Sequence, residues 1–110
     1  MSAYDAFQQL DMRVGTVVSA EPFLKARKPA IKLVIDFGPE LGRKQSSAQL
    51  TKRYSPGQLV GRRVIAAVNL GTRRIAGFTS EVLVLGAVPE EGDVILLTPD
   101  AEVANGVRIA

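Results

Sequence analysis

Neither cysteine nor histidine occurs in these 110 residues. The first absence excludes disulfides, thiolate metal sites and cysteine nucleophiles. The second removes the commonest general base and zinc ligand, and with them any Ser-His-Asp chemistry. Tryptophan is missing too, and four Phe and two Tyr are all the aromatics there are. A stacking platform for single-stranded nucleic acid is therefore thin. No apolar run approaches the length of a membrane span, and no Gly-Lys-Ser/Thr loop is present to cradle nucleotide phosphates. The acids are scattered near turns and chain ends, which leaves paired-carboxylate chemistry formally open and otherwise unsupported. A binding protein is favoured over an enzyme, with no metal and no cofactor expected. The N-terminus has no basic start followed by an apolar stretch, and Asp5 and Asp11 interrupt it. A signal peptide and membrane insertion are not expected, and a soluble, cytoplasmic chain is.

What the chain does have is charge sorted by position. Residues 25–74 hold twelve of the fourteen basic side chains and only two acids, Asp36 and Glu40, a balance of +10. Residues 1–24 carry −2 and residues 75–110 carry −5, so a net charge of +3 conceals a strongly basic centre. A field of that kind attracts polyanions, RNA phosphate above all. The plainer alternative is a solvated surface with a chance imbalance.

The length suits one small domain, residues 1–110, with a single core. Ser2 followed by Asp5 resembles a capping box, and Tyr4, Phe7 and Leu10 recur on one helical face, predicting a short helix over about residues 3–10. Strands dominate afterwards, near 12–20, 30–37, 43–49, 63–69, 80–86 and 94–98. In the first, Met12, Val14, Thr16 and Val18 share one face, and Arg13, Gly15, Val17 and Ser19 the other. In the second, Ile31, Leu33, Ile35 and Phe37 point one way and Lys32, Val34 and Asp36 the other, a half-buried strand. The runs Val82–Leu85 and Val94–Leu97 are apolar throughout, as expected where both faces are covered. Turns are expected at 38–42, 54–57 and 89–93. Asn105-Gly106 predicts a hairpin turn into a short last strand. One helix and many strands predict an all-β chain: an OB-fold Greek-key β-barrel with a short N-terminal helix and a C-terminal β extension.

Three segments look chemical. Lys44–Arg53 is polar on both faces, unlike a strand that only fills a barrel. Lys44, Lys52 and Arg53 suit phosphates, and Ser46 offers a donor and acceptor; an exposed edge is the alternative. Asn69–Gly77 places Arg73 and Arg74 beside glycines at a strand end, where guanidinium groups reach phosphates bidentately, unless this is simply a basic turn. Ser80 and Glu81 enter an otherwise apolar strand and either cap a turn or join the site. The candidate RNA-binding set is thus Lys44, Ser46, Lys52, Arg53, Asn69, Arg73, Arg74 and Ser80. Few aromatics and many cations suit a folded RNA read by shape and phosphate. The Tyr4, Phe7, Leu10 stripe sits on a helix too short to persist undocked, and so either plugs its own barrel or meets a partner.

The string Asp11-Met12-Arg13-Val14-Gly15-Thr16-Val17 resembles the opening strand of the tRNA-binding OB domains. These occur in CsaA proteins, at the C-terminus of some methionyl-tRNA synthetases and in the endothelial-monocyte-activating-polypeptide group. The segments 29–38, 44–54 and 73–86 resemble the CsaA branch in particular. The resemblance spans nearly the entire chain. It implies an OB-fold, tRNA binding, a homodimer, and a chaperone role in protein export with unfolded or exported polypeptides as partners. It also implies extensions that build the dimer, here the helix around Tyr4, Phe7 and Leu10 and the tail around Val107 and Ile109. One departure is Gly71-Thr72-Arg73, where the family usually has a proline before the arginine; this loop is expected to be more flexible. An alternative function is a peptide-binding chaperone using apolar pockets on the dimer, with RNA binding secondary.

Overall fold

A computed structural model describes residues 1–110. The first half of the sheet is one long meander. Strand β1 (Met12–Pro22) pairs antiparallel with β2 (Ile31–Asp36), and β2 with β3 (Arg43–Ala48). Strand β4 (Arg63–Ala67) returns to the other side of β1, and β7 (Leu83–Val84) pairs with β4. The edge β3 then meets the segment that leads into β7: the Glu81 amide donates to the Gln45 carbonyl at 2.8 Å. That contact nearly closes the sheet into the expected OB-like barrel.

Alternation drives the core. Ile31, Leu33 and Ile35 point inward from β2 with Phe37 just beyond, and Val14, Val17 and Val64 face them from β1 and β4, all at most 1% exposed. Strand β1 does not keep one phase, as the alternation predicted. Met12 and Val14 are buried, and then Val17 rather than Val18. The strand bends as it changes partner, from β4 over 12–16 to β2 over 16–22, with a register shift between Val17 and Ser19. Gly15 lies at this bend, where a Cβ would come within 2.6 Å of Ile35 Cγ2, so only bare backbone fits.

Two expected turns are short helices, α2 (Gly38–Leu41) and α3 (Pro56–Leu59). In α3, Ser55 and Gln58 form a capping box, and the helix delivers Leu59, fully buried, to the core. The expected continuous strand over 80–86 is broken, because the chain serves three partners in turn. Strand β6 (Phe78–Ser80) pairs with β5 (Arg73–Ile75), β7 with β4, and β8 (Gly86–Glu90) with β9 (Asp93–Leu96). Nor are both faces of these apolar runs covered: Leu83 is 50% exposed and Leu97 41%.

The last strand, β10 (Arg108–Ile109), does not form a hairpin with its predecessor. It crosses the molecule to pair with Met12 and Arg13 of β1. The Gly106 amide donates to the Val14 carbonyl, and Arg13 donates to the Gly106 carbonyl at 3.1 Å. Beside it lies α1 (Ala3–Gln9), capped by Ser2 and Asp5 as predicted. No residue of α1 is buried, and Tyr4 is 70% exposed and Phe7 41%, so the stripe does not plug its own barrel.

Candidate nucleic-acid interface

The polar strand β3 divides by parity. Successive residues face opposite sides of a strand. Ser46 lies opposite Leu33 on the core face, and Lys44 shares that face opposite Ile35. Ser47, opposite Lys32, belongs to the outer face. The inner and lateral groups of β3 are occupied in closing the barrel. Ser46, 1% exposed, donates its hydroxyl to the Val82 carbonyl at 2.9 Å. The Ser80 hydroxyl accepts from the Ser47 amide at 3.0 Å. The Glu81 carboxylate accepts from the Gln45 amide at 2.9 Å, and Gln45 Nε2 donates to the Thr79 carbonyl at 3.2 Å. Here a strand is polar because it fills a barrel: a seam with one backbone bond needs side chains to satisfy the rest. The structure thus places Ser46 and Ser80, both in the candidate RNA-binding set, in the seam.

Lys52 and Arg53 are engaged elsewhere. Both bind the β8–β9 ribbon: Lys52 pairs with Glu90, and Arg53 grips Asp93 with bonds of 2.9 Å and 2.7 Å. The guanidinium holds the Asp93 carboxyl below its ordinary value, chiefly through the hydrogen bonds, and the carboxylate raises Arg53 in turn. Asn69 is a tie as well. Its Oδ1 accepts from the Asp11 amide and its Nδ2 donates to the Gln9 carbonyl, joining the end of α1 to the start of β1.

Arg73 and Arg74 are exposed on β5, and their parity separates them. Arg74 donates to the Thr79 hydroxyl at 2.6 Å. Arg73 borders a cleft of about 410 Å³ between the β5–β6 hairpin and the β1–β2 loop. Lys25, Arg27 and Lys28 line the same cleft from the loop, and Ser47 and Gln49 from the outer side of β3. No acid lines it, and none of its four cations is ion-paired. Four like charges around one concavity, without counterions, form an electrostatic funnel for a polyanion. Of the cations in the candidate RNA-binding set, Lys44, Lys52, Arg53, Arg73 and Arg74, Arg73 is the one that lines this cleft. Lys25, Arg27 and Lys28 were visible as a cationic cluster, but a loop carries no periodicity to say that it folds against Arg73.

Residues 12–108 match the family model described as "Putative tRNA binding domain". The chain belongs to this family. It is 58% identical to the chaperone CsaA of Bacillus anthracis, whose crystal structure superposes with a TM-score of 0.94 over 100% of this chain and 99% of that one. For the CsaA chaperone of Picrophilus torridus the identity is 44% and the TM-score 0.91, with both chains fully covered. A methionine–tRNA ligase of Methanothrix thermoacetophila is 40% identical over 106 residues, 96% of this chain. That match spans only 15% of the ligase, so the similarity is to one module of an enzyme.

Proposed function

We propose that this chain is a cytoplasmic tRNA-binding module of CsaA type, and that the cleft between the β1–β2 loop and the β5–β6 hairpin is its phosphate-binding surface. The observation that carries the reading is the convergence of Lys25, Arg27, Lys28 and Arg73 with no acid among them. Ser47 and Gln49 on its wall supply neutral donors and acceptors for ribose or base edges. The family match and the tRNA-ligase relatives make tRNA the polyanion of choice. Lys44 and Arg74 remain accessory cations outside the cleft lining.

The test is tRNA affinity as a function of salt. Each phosphate contact contributes about 0.7–0.9 to the slope of log K against log salt. A Lys28→Ala, Arg73→Ala double variant is expected to fold normally and lose about 1.4–1.8 of that slope. Unchanged affinity and slope would remove the cleft from the reading.

A second reading adds a polypeptide ligand in protein export. It is favoured by the full-length similarity to CsaA chaperones and by the apolar side chains left exposed at Tyr4, Phe7 and Val107. We assign those residues, with Leu10 and Ile109, first to a homodimer contact. Phe7, Leu10 and Ile109 line a small concavity, of about 270 Å³, where α1 and β10 meet. Peptide binding through apolar surface would be insensitive to salt, which separates it from RNA binding.

A further inference from the structure

The cationic cleft has a neighbour on the other side of the hairpin tip. Pro22, Phe23, Leu24 and Phe78 line a notch of about 420 Å³, with Glu21 and Lys32 in its wall. Lys25 and Ala76 line both concavities, so the two are contiguous. Three features of the notch bear on what it can hold. Leu24 stands 90% exposed on its rim. Lys32, only 30% exposed, lies 5.4 Å from the Phe23 ring centre, 5.5 Å from that of Phe78 and 3.1 Å from Glu21. Ala76 has φ +47° and Gly77 φ +84°, a two-residue hairpin turn with both residues left-handed. Asn-Gly is the sequence that such a turn favours, and alanine there is strained. Strain held at the lip of two concavities points to function: the methyl keeps the lip small and apolar where asparagine would make it larger and polar.

We propose that this notch seats one unpaired nucleobase, guanine by preference, of an RNA whose neighbouring phosphates lie in the cationic cleft. The inference rests on the RNA reading above and names what that surface reads. A base is an apolar plate with a polar edge. Phe78, half-buried, and the exposed Leu24 offer apolar surface to the plate. A carboxylate beside ammonium groups answers the edge. Guanine alone has two adjacent donor atoms, N1 and N2, for one carboxylate, with O6 and N7 as acceptors for lysine. An aliphatic peptide side chain would fill the apolar part and make no use of the charged wall.

The experiment uses the full chain and an RNA hairpin with one unpaired guanosine. The same hairpin with an abasic site, or with uridine, at that position is the comparison, all by fluorescence anisotropy at one salt concentration. Loss of the base is expected to weaken binding by about fivefold or more, the low end of base–aromatic stacking. Leu24→Ala, at a side chain that lines the notch and not the cleft, is expected to weaken the guanosine RNA and leave the abasic RNA unchanged. Glu21→Gln is expected to narrow the preference for guanosine over uridine. Equal affinity for guanosine and abasic RNAs, with a normal salt slope, overturns the notch and leaves the cleft standing. So does a loss that is equal on both RNAs, or displacement of neither RNA by an aliphatic peptide that itself fills the notch. Absence of binding to every RNA at low salt overturns the RNA reading and the notch together.

Discussion

Arg53 shows how a single residue changes meaning between sequence and structure. In the sequence it is one of twelve cations in a basic stretch. In the structure its guanidinium makes a two-pronged contact with Asp93, forty residues away, whose side chain is only 9% exposed. Because that contact depresses the carboxyl, it stabilises the fold above the ordinary carboxylate value of 3.8, and the contribution disappears as pH falls through the lower folded value. An Arg53→Ala variant is therefore expected to melt below the parent at neutral pH, with the gap closing as pH is stepped down beneath 3.8. Thermal unfolding of the two proteins across that range checks the sign; a gap that widens in acid would contradict it. The same variant is expected to bind tRNA with an unaltered salt slope, since the Arg53 charge serves the β8–β9 ribbon.

At the scale of elements, the strands were legible wherever one face meets the core and the other meets water. Ile31–Asp36 alternates as written, and its burial follows residue by residue. The polar strand β3 misled because its composition answers to a partner distant in sequence. Nothing periodic in Gln45, Ser46 or Ser47 announces Thr79–Val82 as the other half of a seam. The four-residue helix α3 was equally hidden, being too short for a repeat; its capping box, Ser55 with Gln58, was the available signal. Two substitutions separate the seam from the binding surface. Ser46→Ala leaves the buried Val82 carbonyl without its donor, which costs about 1–3 kcal/mol, and tRNA affinity is expected to hold. Leu59→Ala empties the position that α3 fills, at about 2–5 kcal/mol. Urea titration measures both; tRNA binding lost upon Ser46→Ala at undiminished stability would return that hydroxyl to the site.

For the whole molecule, the segregated charge was readable as a sum but not as a surface. The chain's own acids pair with Lys32, Lys52, Arg53 and Arg63 of the basic middle, and leave Lys25, Arg27, Lys28 and Arg73 free around one cleft. One cleft with four cations is a small footprint for a folded RNA. A two-fold dimer would present two such clefts to a single tRNA, making the second contact intramolecular. The surface available for that contact is where α1 and β10 meet, with Tyr4, Phe7 and Val107 exposed and Asn69 pinning the end of α1 in place. Sedimentation at micromolar concentration is expected to find the intact chain at twice its monomer mass of 11.8 kDa. A chain lacking residues 1–10 is expected to be monomeric, and Asn69→Ala to dissociate more readily than the parent. The monomeric form keeps its cleft, so it is expected to bind tRNA more weakly and with a smaller salt slope, as fewer phosphates are contacted per RNA. A monomeric intact chain would end the dimer reading, and a dimer that survives the deletion would move its interface away from α1. A monomer that binds tRNA with the full slope would show that one cleft suffices.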